Sequence, residues 1–187
     1  MLILDIHLIL IISINMSITF KVYKSETIVN KQKQIIADLE YVKNKNLFNN
    51  YTWDYAKYNV FTLNPNSIFL NKVFLELKTI IRDYLQTDEP LWFQSWLNFH
   101  NKNEILQRHT HEWPYHGYIS IRPHNTTTVF DNFEIKNEIG KIYIGPGDLY
   151  HYVRVDKSFK EPRITLGFDV KTQNIQVKKD MVSLIPV

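Results

Sequence analysis

The sequence predicts an α+β fold, mainly β: a double-stranded β-helix, or jelly roll, with an N-terminal helical lobe. Three observations lead there. Amphipathic helical spacing is confined to the first half of the chain. From Leu91 that period gives way to short runs of β-branched and aromatic residues, parted by turn signals at intervals near ten residues. Aromatic residues make up 14%, with 11 Tyr and 11 Phe, which suits a sheet-rich core or a ring-lined pocket.

Composition narrows the function classes. A chain of 187 residues fits one domain with an added lobe. Hydrophobic content of 44% and charged content of 22% are ordinary for a globular protein and exclude wholesale disorder. The net charge of +3, from 22 basic and 19 acidic residues, is too balanced to argue for nucleic acid. With no cysteine there can be no disulfide, thiolate metal site or cysteine nucleophile.

The chain divides into residues 1–16, an apolar extension; 17–90, a strand and helices; 91–172, the jelly-roll core; and 173–187, a tail. Met1–Ile14 is apolar but broken by Asp5 and His7, and shorter than the roughly 20 residues that span a bilayer. It lacks a basic start and a small-residue cleavage site. Three readings stand: an added strand or helix, a short membrane anchor, or sequence upstream of a start at Met16. A cytoplasmic setting, including that of an infected host cell, is the expectation.

Ser17–Tyr23 alternates, with Ile18, Phe20 and Val22 on one face, and predicts a strand. Ile28, Ile35, Ile36, Leu39 and Val42 predict a helix over 27–45. Residues 51–63 read as irregular structure leading into a short strand. Asn64–Ser67 breaks the chain with N-cap chemistry. The stripe Leu70, Val73, Phe74, Leu77, Ile80, Ile81, Tyr84 and Leu85 then gives a helix over 67–86, its apolar face packed in the core. Strands are predicted over 91–99, 105–111, 117–122, 126–130, 133–135, 141–144, 151–155 and 163–170. The tail is an extra strand or a loose end.

The chemistry centres on Gln107–Pro114, which holds His109 and His111. In a strand, residues i and i+2 share a face, so both imidazoles project together. Neutral imidazole nitrogen suits transition metals. A third ligand is offered by His151, after Gly145-Pro146-Gly147-Asp148. Three ligands on one face leave coordination positions open, which is a catalytic arrangement. Arg163 follows twelve residues later, sharing a face with Thr165 and Gly167. A buried arginine needs a partner, and a ligand carboxylate could supply it through two parallel hydrogen bonds. A metal role is thus carried by the combination, since a His-x-His pair alone is weak.

Ser95-Trp96-Leu97-Asn98, His109-Thr110-His111, His151 and Arg163 together resemble the 2-oxoglutarate/Fe(II)-dependent oxygenase superfamily. The resemblance is nearest to a family common in phages and marine bacteria, and it covers under half the chain. It implies a dioxygenase that hydroxylates an unknown substrate, with Fe(II) as cofactor and 2-oxoglutarate and dioxygen as co-substrates. His109 and His151 would ligate iron, and Arg163 would clamp the distal carboxylate of 2-oxoglutarate. Asn98 and Tyr118 are further cosubstrate candidates. His111 stands where most of the superfamily has a carboxylate, so either it is a third ligand or it serves behind the ligands. Glu112 faces away in a regular strand.

Alternatives remain. A cupin-like metal dioxygenase without 2-oxoglutarate shares His-x-His and the later Pro-Gly and histidine. A non-enzymatic jelly-roll binding or structural module is another, and a glycan-binding sandwich a third. The plainer readings assign His116 and His124 to solvent or turns, with His116 alternatively lining the mouth, and leave His7 and His100 without partners. They place Trp113, Tyr115 and Tyr118 in the core or rim, and Arg108 and Arg154 on the surface. Asp148 holds the glycine turn. Substrate and oligomeric state stay open.

Overall fold

The computed structural model describes residues 20–44, 58–101, 104, 106–172 and 184–187. The large sheet has six strands in the order β1-β6-β3-β8-β2-β9, and the small sheet three, β5-β4-β7. The strands are β1 (Lys21–Lys24), β2 (Trp92–His100), β3 (Tyr115–Arg122), β4 (Thr126–Phe130), β5 (Glu134–Lys136), β6 (Lys141–Pro146), β7 (His151–Val155), β8 (Arg163–Lys171) and β9 (Ile185–Pro186). Every strand pairing is antiparallel. The helices are α1 (Glu26–Asn44), α2 (Val60–Leu63) and α3 (Ile68–Leu85). The protein is therefore α+β and mainly β, a two-sheet sandwich with helices laid on the large sheet.

Alternation along the strands builds both layers. Ile164, Leu166, Phe168 and Val170 of β8 join Ile119, Ile121, Ile142 and Ile144 in one cluster with the apolar stripes of α1 and α3. Each such side chain, once fully buried, contributes about 1.5–3 kcal/mol. On the other side, Phe20, just ahead of β1, and Val22, Tyr118 and Tyr143 of the large sheet meet Phe130 and Ile135 of the small one. The large sheet is covered on both faces, which is why β2 and β8 are buried almost throughout.

The long helices follow their periodicity. Ile28, Ile35, Leu39 and Val42 are the buried positions of α1, which kinks at Lys31. Ser67 caps α3 by accepting from the Leu70 N–H, and Gln86 ends it in the left-handed conformation at φ 49°. The strand expected before Asn64 is instead the single turn α2. Asn59 decides it, because its side chain accepts from the Phe61 N–H and caps a helix there. Residues 17–19, 45 and 51–57, and most of the tail, lie outside the described residues.

The strand expected over 105–111 does not form, although residue 105 itself lies outside the described set. Leu106 accepts from the Val153 N–H, His109 exchanges both backbone bonds with His151, and the His111 N–H donates to Gly147. Between those contacts this segment advances three residues while β7 retreats two, then two while the partner retreats four. The register slips on both sides of His109, so only an isolated bridge to His151 survives.

Among the described residues, no helix is long and apolar enough to cross a membrane.

Candidate metal centre

Between the sheets lies a small cavity of about 30 Å³. His109, His111 and His151 all line it, and so does Arg163. One nitrogen from each of the three histidines falls within 4.8 Å of the others. The irregular backbone brings His109 and His111 to one place without a strand. Gly147 is needed for this, since a Cβ there would sit 1.9 Å from the Trp113 carbonyl oxygen.

Each of the three rings is anchored through Nδ1. His109 Nδ1 lies 2.6 Å from the Gln107 carbonyl oxygen, and His151 Nδ1 lies 2.9 Å from that of Leu149. His111 Nδ1 lies 3.2 Å from Asp169 Oδ1. A carbonyl or carboxylate oxygen only accepts, so Nδ1–H must donate in every case. All three rings are therefore held in the tautomer whose lone pair is on Nε2. That is the form in which histidine ligates metal, with its other nitrogen secured by a neighbour. His111 Nε2 is buried and has no hydrogen-bond partner, as expected of a ligand atom. Burial holds His109 and His151 below the ordinary histidine range, His151 the further, so both are neutral and able to ligate.

Two further residues belong to the centre: His116, which the sequence offered only as a residue of the mouth, and Asp169, which sequence reasoning missed. His116, expected at solvent or in a turn, is buried on β3, and its Nδ1–H donates to Asp169 Oδ1 over 2.9 Å. Burial foremost pulls His116 down to about 4. Asp169 lies on β8, directly across from His116 in the register. Burial opposes its charge most strongly, but the hydrogen bonds and charge interactions with His111 and His116 together hold its carboxyl below the usual range. His111, His116 and Asp169 form a second group with donor atoms close enough for a metal. Both were findable. Asp169 continues the face of Arg163, Thr165 and Gly167 by one step. His116 shares a face with Tyr118, but the predicted strand began at Gly117, one residue too late.

Packing fixes the imidazoles. His111 and His116 stack with centroids 3.5 Å apart and planes 10° apart. Trp96 lies over both, at 5.7 and 6.0 Å. Gly167 makes room for the indole, because a Cβ there would fall 2.4 Å from Trp96 Cε2.

The cavity also reaches Arg163, which is only 4% exposed. Its Nη1 sits 3.5 Å from Thr165 Oγ1, a marginal contact, and its Nε has no partner. Among the described residues no carboxylate acts on it, and burial brings its pKa down to about 10, still charged at neutral pH. His100, its cross-strand neighbour, is pushed to about 4 by burial and then by Arg163. Asn98 Oδ1 is buried there without a partner. Tyr118 also lines the cavity, its phenol raised well above the ordinary range by burial.

Other sequence candidates lie apart. Arg108 and Arg154 are on the surface, paired with Asp131 and with Glu134 and Asp156. His124 is a turn residue at φ 54°, stacked on Phe159.

The fold and site define a mainly β sandwich carrying a buried histidine and aspartate group able to bind a metal ion. Its architecture is similar to that in a crystal structure of apo HygX from Streptomyces hygroscopicus, with a TM-score of 0.61 and 11% sequence identity over 89% of this chain and 88% of that one. At that identity the likeness speaks for the fold. No protein-family model matches the chain, and no curated protein does.

Proposed function

We propose that this protein is an Fe(II)- and 2-oxoglutarate-dependent dioxygenase, a hydroxylase built on a double-stranded β-helix. One observation carries the reading: a buried guanidinium with no carboxylate partner among the described residues opens onto the same cavity as three histidines anchored through Nδ1. A divalent ion on neutral imidazoles at one end and Arg163 at the other make a cavity positive at both ends. A small dicarboxylate is its electrostatic complement.

In this reading His109, His111 and His151 hold the iron. Arg163 binds the distal carboxylate of 2-oxoglutarate, and Asn98 and Tyr118 offer polar atoms along the cavity wall. Leu106 and Val153 close the apolar sides and exclude water. Bound together, iron(II) and 2-oxoglutarate supply oxidative decarboxylation coupled to hydroxylation of a substrate by dioxygen. The all-histidine triad favours a second reading, a cupin-like metal dioxygenase that uses no 2-oxoglutarate, and Arg163 separates the two.

Purified protein given iron(II), ascorbate and 2-oxoglutarate is expected to form succinate, even without substrate. If iron binds but no succinate forms, the oxoglutarate reading is lost and the cupin-like one gains. His151→Ala is expected to abolish iron binding, read by metal analysis after dialysis.

A further inference from the structure

The metal-binding half of that reading leaves a question of charge. An iron centre of two histidines and one carboxylate carries a negative ligand on the ion, whereas a set of three imidazole ligands brings none. We infer that Asp169 is a positioning residue for this centre. Its Oδ1 holds His111 through Nδ1–H so that Nε2 ligates the ion, and its charge acts from behind the ligand.

Four observations converge on this. Asp169 is 1% exposed, and its partners at Oδ1 are the Nδ1 atoms of His111 and His116. A carboxylate is costly to bury unless hydrogen-bonded, so this one is held by the imidazoles it orients. On the far side of the His111 ring, Nε2 is buried with no hydrogen-bond partner. Trp96 and His116 pack on the ring, so the Asp169 contact sets which nitrogen faces the cavity.

His116 does not join the ion. Its ring stacks on that of His111 with centroids 3.5 Å apart, and both rings place Nδ1 on the same Asp169 oxygen. His116 groups with His111 and Asp169, not with His109 and His151. Its role is to stack on His111 and share Asp169.

The test uses cobalt(II) alone as the probe, with Asp169→Asn, Asp169→Ala and His116→Phe in the full chain. Wild type is expected to bind one cobalt(II) per chain. Asp169→Asn keeps an acceptor oxygen without the charge, and Asp169→Ala removes both. Affinity should fall from wild type to Asn to Ala, by about tenfold to a hundredfold in all. Nitrogen-15 NMR should show His111 as the Nδ1–H tautomer in wild type and Asn, and as a mixture in Ala. His116→Phe keeps the stack and should bind as wild type does. Unchanged affinity in Asp169→Asn and Asp169→Ala overturns the inference, as does an unchanged tautomer in Ala. Two ions per chain, or loss of binding in His116→Phe, also overturns it by making Asp169 a direct ligand. If Asp169→Ala does not fold, Asp169→Asn decides alone: weaker cobalt binding at unchanged thermal stability supports the inference, and wild-type affinity overturns it. Failure of the wild type to bind cobalt or iron removes the metal reading itself, a separate result.

Discussion

Strand β8 carries two chemistries on its two faces. One face presents Ile164, Leu166, Phe168 and Val170 to the helices, all fully buried and apolar. The other presents Arg163, Thr165 and Gly167 to the cavity and Asp169 to the histidines. Both faces are shielded from water, yet only one gains stability from it. On the helix face, burial removes apolar surface from water. On the cavity face it confines a charge without a carboxylate at one end and a carboxylate between imidazoles at the other. The difference teaches where to expect function: burial without a matching partner is a cost that a bound ligand can offset.

The largest effect should come from the helix face. Phe168 is fully buried, and its ring fills the space over Gly117, where a Cβ would meet Phe168 Cζ at 2.1 Å. Phe168→Ala should cost about 3–5 kcal/mol of unfolding free energy, measured by denaturant titration. A loss well under 1 kcal/mol would mean that the two faces do not divide stability from function in this way.

The cavity face should answer in the opposite sense. Arg163→Met keeps the apolar bulk and removes the charge. Thermal stability should hold or rise, because no carboxylate partner is lost. Affinity for 2-oxoglutarate should drop by about 1.5–3 kcal/mol, the range for hydrogen bonds to a charged group, while iron binding is kept. Calorimetry on the manganese-loaded protein separates these outcomes, and equal affinity in both proteins removes the role given to Arg163.

The same contrast explains what the sequence made legible. Period-2 alternation in 163–170 and the stripe of 67–86 survive because each buries an apolar face against a partner, the strongest local signal a chain carries. The histidine triad was legible from residue type and order alone. The backbone route was not, since register slippage around His109 depends on how β7 and its preceding turn lie alongside. Alternation puts Asp169 on the cavity face, but not its role, because its partners come from elsewhere in the chain, His116 from β3 and His111 from an irregular segment. A carboxylate reads as functional only once those rings are seen beside it. Asn59 shows the local limit: one side-chain cap turned an expected strand into α2.

A surface counterpart to Asp169 sharpens the comparison with the smallest effect. Asp83, at the end of α3, also accepts from two donors, the Tyr23 hydroxyl at 2.6 Å and Lys21 Nζ at 2.9 Å on β1. The Tyr23 bond first, then Lys21, holds its carboxyl below the ordinary range. A carboxyl depressed in the folded state adds stability above its unfolded pKa of about 3.9. That stability is lost as pH falls through the lower folded value. Because the Asp83 side chain is 48% exposed, solvent screens it, and the contribution should stay below about 1 kcal/mol. Asp83→Asn should therefore lower stability slightly at neutral pH and flatten its decline in acid, the two curves closing once the wild-type carboxyl is protonated. A gap that persists in strong acid would show that Asp83 ties β1 to α3 through geometry and not charge.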